Sequence, residues 1–245
     1  MEVAQRVLSG YGQSGVTDHA TGGACIPEFL LQYEESDWVF LRRLASHFGT
    51  YLLADATDAC GKVYFGIPEI SYGTVLDGQD YTMEKDMLHY ARVLEKEGVL
   101  SQEASCWNVM VRFFLRMGET LTFNGIEAVV TAMRLHTEKG ELVYSYVLAR
   151  RAGIRREKEK NPGIFGMSIP ATVMERSGNR IRVHFEIDPE YEASEKTKYF
   201  TYAIESSSFY CMPEEGSQVH IYFPDHDEQG AVAVHAIRSG EGASG

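Results

Sequence analysis

The chain has 245 residues, 44% of them hydrophobic, and 35 Asp and Glu against 23 Lys and Arg, for a formal net charge of −12. That much apolar material can fill two or three small cores, so disorder is not expected. The carboxylate excess repels phosphate backbones and anionic headgroups, which argues against nucleic acid and membrane as partners. No stretch approaches the roughly 18 uncharged apolar residues of a membrane helix, and the opening MEVAQRVLSGYG has neither the basic nor the apolar region of a signal peptide.

In chain order, Val3, Val7 and Leu8 share one face and predict a short helix ending near Gly10. The clearest helix is SDWVFLRRLASHFG, residues 36–48 with Gly49 as its stop. Ser36 or Asp37 caps its free amides, Trp38, Leu41, Leu44, Ala45 and Phe48 form the inward face, and Arg42 and Arg43 lie opposite. TYLLAD and KVYFGI, separated by the turn-rich ATDACG, predict a β-hairpin. Tyr81 to Leu94 mixes both periodicities and is read as a short helix.

From Trp107 the pattern changes to strands: WNVMVRFF, ETLTFNG, EAVVTAMRLHTE and GELVYSYVLARR, joined by short turns that include Asn124-Gly125. They predict an antiparallel meander or small barrel. The charge-rich IRREKEKNPG, Ile154 to Gly163, marks a domain boundary. Beyond it, IPATVMER, NRIRVHFEI, KYFTYAIES, YCMP, SQVHIYFPD and AVAVHAI are short strands spaced by polar turns, as in a closed barrel of OB size; periodicity alone does not separate it from an SH3-like one. The fold class expected is mainly β with a few short helices.

Little in the sequence points to catalysis. Glu34, Glu35 and Asp37 stand at a helix entrance and Glu214-Glu215 precede a Gly in a turn, where carboxylates are caps and solvated groups. His220, Asp225, His226, Asp227 and Glu228 have metal-ligand chemistry but the composition of a hairpin tip. Cys106, Cys211 and Ser36 lack a nucleophile-elbow motif, and no Gly-rich phosphate cradle occurs. Cys25, Cys60, Cys106 and Cys211 form no C-x-x-C pair and are expected to be free thiols. Tyr199, Phe200, Tyr202, Phe209, Tyr210, Tyr222 and Phe223 are candidates for stacking nucleobases on a barrel, but residues 171–245 carry 13 acidic and 6 basic side chains. The expectation is therefore no catalytic residue, no cofactor and no metal.

Three blocks carry a resemblance. CIPEFLLQYEESDWVFLRRLASHFGTYLLAD is similar to the signature segment of VgrG and phage late-control hub proteins, with Gln32, Tyr33, Glu35, Ser36, Asp37, Trp38, Phe40, Leu41, Leu44 and Gly49 at its pattern positions. RMGETLTFNGIEAVVTAMRLHTEKGELVYSYVLARR resembles the hub-barrel strands that follow in those proteins. IPATVMERSGNRIRVHFEID, continued by YCMPEEGSQVHIYFPDHDEQGAVAVHAIRSG, resembles their OB domain through Pro213, Gly216, Val219, Tyr222, Phe223 and Ala231 to Ile237. In that family a further hub barrel precedes the first helix and a β-helical spike follows the OB domain, so the resemblance implies a fragment.

The resemblance implies a partial hub segment over 1–66, a hub β-barrel domain over 67–153, a linker over 154–168 and an OB-like neck over 169–245. It implies a non-enzymatic baseplate hub and spike component of a contractile injection system, made without a signal peptide and assembled into a phage-tail-like particle. Its partners would be two further copies of itself, tail-tube and spike or tip proteins, and effector cargo. A spike-associated cell-wall hydrolase and an OB-type nucleic-acid-binding module are the alternatives. Phe209, Tyr210, Met212 and Val232 are the expected subunit-interface residues, being apolar groups on a barrel edge that a monomer would not leave bare.

Overall fold

The computed structural model describes residues 1–12, 15–55, 61–189, 197–203 and 212–235. The chain is mainly β and forms two compact units, one of residues 1–26 and 36–159, the other of 27–35 and 160–245.

The first unit opens with a helix at Glu2–Leu8 (α1) and a strand at Val16–Asp18 (β1). The main helix is Asp37–Ser46 (α2), where Ser36 Oγ accepts from Val39 N at 3.4 Å and Gly49 takes the left-handed conformation, φ 63°, just past the end. Its buried stripe is rotated from the one expected: Phe40, Leu41, Leu44 and Ala45 face inward, Trp38 is 42% exposed, and Arg43 is buried at 2% with its guanidinium 5.6 Å from the Phe40 ring. Arg43 sits one turn beyond Phe40, and its long stem and flat cation can lie along an aromatic face that a point charge would leave.

Leu52–Ala54 (β2) and Val63–Phe65 (β3) pair antiparallel as the hairpin expected, and β1 joins the free side of β3 in parallel, Val16 opposite Val63. The larger sheet is built from Ile70–Leu76 (β4), Tyr81–Lys85 (β5), Ser105–Val111 (β6), Glu119–Phe123 (β7), Ile126–Glu138 (β8) and Glu141–Ala149 (β9), in the order β4-β7-β8-β9-β6-β5. β7, β8 and β9 are the predicted meander. Their turns use Asn124-Gly125 and Lys139-Gly140, all four with positive φ, as tight hairpins between twisted strands require. β6 departs from the meander: the seven residues from 112 to 118 carry the chain away, and β6 pairs with β9 on the far side while β4 pairs in parallel with β7.

Tyr81–Lys85 is a strand on β6, not the start of a helix. Its Tyr-Thr-Met-Glu alternation has period two, and helical turns begin only after Asp86, whose carboxylate caps His89 N at 2.8 Å. They run through Met87–His89 (α3) into a wider π-helical turn at Tyr90–Leu94. One face of the sheet buries Trp107, Val109, Phe123, Val130, Tyr146 and Leu148. Arg151 ties its loops together, donating to the carbonyls of Ile67 and Pro68 and to Thr120 Oγ1.

The second unit is a closed barrel of Ser168–Ser177 (β10), Arg180–Phe185 (β11), Tyr199–Tyr202 (β12), Gln218–Tyr222 (β13) and Val232–His235 (β14), in the order β10-β11-β12-β14-β13 and back to β10. Only β12 and β14 run parallel. Five short strands closing in this order make an OB-like barrel. Inward positions alternate along every strand whose side chains are described: Ile169, Ala171 and Val173, then Ile181, Val183 and Phe185, then Val219 and Ile221.

Residues 27–35, which the sequence places with the helix segment that follows them, belong to this barrel. Leu31 is buried in its core, and the Phe29 ring stacks on Phe185 at 5.8 Å and meets Phe200 edge-on at 5.3 Å. Gln229 Nε2 donates to Phe29 O at 2.8 Å and Asn161 Nδ2 to Tyr33 O at 2.9 Å. The charged boundary segment is anchored at both ends, by Ile154 in the first unit and Ile164 in the second.

Asn161 is 2% exposed and also accepts from Gly163 N through Oδ1. Asn161→Ala leaves the Tyr33 carbonyl without its donor and should cost about 1–3 kcal/mol, read as a lowered denaturant midpoint at constant slope.

Candidate interaction surfaces

The acidic groups singled out in the sequence act as local structure. Asp37 accepts from Tyr11 Oη at 2.7 Å beside the Ser36 cap, and that hydrogen bond raises the Tyr11 pKa. Glu214 and Glu215 are exposed in the turn before Gly216, φ 83°. The His220 group does not converge: His220 lies on β13, whereas His226 is at a hairpin tip with its ring 5.1 Å from Phe165. Asp225 and Asp227 there accept backbone amides from Asp227 and Gln229. Among the described residues, no three His, Cys, Asp or Glu side chains stand close enough to share a metal ion.

Cys106 lies half-buried against Val129, Ala149 and Ile154, and burial, with the nearby charges of Glu84 and Asp86, pushes its thiol pKa up. Cys25 is exposed. Since the thiolate is the reactive form, maleimide at neutral pH should label Cys25 well ahead of Cys106, with peptide mapping to separate the sites. Equal labelling of the two would contradict the packing around β6.

Of the aromatics considered for base stacking, Phe200, Tyr202 and Phe223 are spent in the barrel core. Tyr199 faces outward, but Arg180 and Arg182 cover it at 5.3 and 4.2 Å, and Glu175 accepts hydrogen bonds from both Tyr199 Oη (2.9 Å) and Arg182 Nη1 (2.8 Å). Phe209 and Tyr210 lie outside the described residues. Of the other interface candidates, Met212 packs partly against the barrel core, whereas Val232 points outward on β14, in register with Thr201 and Tyr222.

Two apolar surfaces of the first unit were not foreseen. On the outer face of the large sheet, Tyr51, Ile67 and Ile154 cover only the end bearing Cys106, Val129 and Ala149. The other end is an open trough of about 800 Å³ lined by Thr82, Asn108, Met110, Arg134, Ser145 and Val147. Beside it, the edge strand β5 exposes Tyr81 and Met83, and Met87 and Leu88 follow. The signal was in the residues: Asn108, Met110 and Ser145 interleave with buried Trp107, Val109 and Tyr146, as on a strand with one uncovered face.

No protein-family model matches the chain, and no curated protein sequence does. Among solved structures it is similar to the E. coli c3393 protein, with a TM-score of 0.63 at 14% identity over 95% of this chain and 70% of that one. That protein is described as a component of the type VI secretion system, structurally similar to the T4 bacteriophage tail proteins gp27 and gp5. Weaker likenesses are to a 43 kDa tail protein of prophage MuSo2 from Shewanella oneidensis (TM-score 0.45, 10% identity, 64% of each chain) and to a tail protein of Neisseria meningitidis (0.42, 11%, 63% of this chain and 66% of that one). The chain therefore has the fold of a type VI secretion component that itself resembles phage tail proteins, in agreement with the VgrG and late-control hub resemblance carried by its sequence.

Proposed function

We propose that this chain is a structural baseplate component of a contractile injection apparatus, phage tail or type VI-like, in which three copies join a tube-like hub to a narrower piercing tip. The observation that carries the reading is a fold likeness running through 95% of the chain, across the sheet unit and the barrel alike. The three sequence blocks, in hub-family order, support it independently of the coordinates. The work is geometric: a β-rich ring surface on one unit and a compact barrel on the other bridge two symmetries, and no reacting group is required.

The test has two arms. Sedimentation equilibrium of the purified chain should give a mass rising to three copies with concentration, and a tagged chain should retain a tail-tube protein of the same apparatus. Purified peptidoglycan should keep its turbidity in the chain's presence. Clearing of that suspension would replace the structural reading with a cell-wall hydrolase.

A further inference from the structure

We infer that the free edge of β5 accepts an extended segment of another protein, apolar at alternate positions and basic at those between. Neither the trimer nor the adaptor role is required, and every residue involved belongs to the first unit. β4 and β5 are the two edges of the six-stranded sheet. β4 is blunted as an edge, because a bulge between Ser71 and Val75 breaks its ladder and Gly73 within it has φ 71°. β5 pairs with β6 without interruption from Tyr81 to Lys85, contains no proline, and leaves the hydrogen-bonding groups of its other edge without a strand.

The core face is uncovered at this edge. Tyr81 stands opposite Val109 and Met83 opposite Trp107, so both lie on the face that buries those residues. Yet Tyr81, whose ring meets Phe123 edge-on at 5.3 Å, is 51% exposed, and Met83 is 63% exposed. An edge that faces only water is ordinarily protected by a charge at such inward positions, whereas these two hold a tyrosine and a methionine. A further strand on β5 would cover both with its own inward side chains while its backbone extends the ladder.

Charge sets the other half of the occupant. Asp80 and Asp86 flank the strand, and Glu84 lies on its outer face opposite Cys106. The strand's own cation, Lys85, donates to Ser101 Oγ at 3.0 Å. Arg134 on β8 is three strands away, about 14 Å at ordinary strand spacing. Basic side chains on the incoming segment therefore meet carboxylates. A second copy does not fit: antiparallel pairing of two β5 edges about Met83 sets Asp80 against Asp86 at both ends, in chains that each carry a net charge of −12.

The probe is a fluorescently labelled peptide that alternates valine with lysine and threonine, added to the full chain and followed by anisotropy. Binding should saturate, and hydrogen exchange should slow in β5 but not in β4. Replacing the lysines by glutamate, or two central residues by proline, should weaken binding about tenfold or more. Met83→Lys should do the same, since it removes an apolar contact and adds a like charge. Met83 is exposed, so this variant should retain the wild-type unfolding midpoint, which separates lost docking from lost folding. Leu142→Lys, at the exposed β8–β9 tip, should leave binding unchanged. No binding to the wild type, equal binding of the glutamate peptide, or protection of β4 in place of β5 overturns the assignment. So does a doubling of mass that Met83→Lys abolishes, which would give the edge to a second copy.

Discussion

Gly118→Ala should lower the stability of the first unit by about 3–4 kcal/mol, near the upper end of single-residue effects, because two penalties add at one atom. Gly118 has φ 79°, a conformation that costs an L-residue roughly 1–2 kcal/mol. A Cβ there would also fall 2.5 and 2.6 Å from Cγ and Cδ of Pro68. Pro68 is a rigid ring whose carbonyl accepts from Arg151 Nη2 at 3.1 Å, and Gly118 N donates to Val130 O at 2.9 Å, so neither side yields cheaply. The site is where β4 and β7 begin to pair, Ile70 opposite Glu119. Gly125→Ala is the control: it carries the same sign of φ, with open space around its Cβ, and should cost only about 1 kcal/mol. Equal losses at the two positions in urea unfolding would show that the Pro68 contact does not matter.

The second large effect is expected at Leu31. Leu31→Ala should destabilise the barrel by about 2–4 kcal/mol, the range for deleting a buried leucine side chain whose cavity cannot collapse. Leu31 is 7% exposed in the barrel core although more than 130 residues separate it from β10. Its segment is held by the Phe29 ring stack, by Gln229 and by Asn161. Hydrogen exchange should then speed up in β10 and β11 before it does in β7, β8 and β9. Uniform acceleration over both units, or none in the barrel, would contradict the placement of residues 27–35.

Much of the local structure was legible in the residues. Ser36 and Gly49 bound α2, the Asn124-Gly125 and Lys139-Gly140 turns set the β7-β8-β9 meander, and alternation from Ile169 onward marked the barrel strands. What misled was always a nearby ambiguity. The helical spacing of Met83, Met87 and Leu88 points to a helix over Tyr81–Lys85, and pairing with β6 selects the period-two reading of the same residues. The charge of Arg43 points to solvent, whereas the helix sets it on the buried side with its guanidinium 5.6 Å from the Phe40 ring. Val232 is legible as an apolar residue on a barrel strand, but its cross-strand neighbours Thr201 and Tyr222 come from other strands.

By itself the sequence determined elements, turns, a β-rich class and the absence of any compact reactive motif, because these depend on dihedral preferences and on periodicity within a few residues. Strand order was decided only by the tertiary structure: β6 beside β9, β4 parallel to β7, β12 parallel to β14, and residues 27–35 packed by Leu31 and Phe29 onto a barrel built from the far end of the chain. Those pairings are contacts between residues tens to hundreds of positions apart, chosen by which apolar faces can be buried together, and no local pattern records that choice.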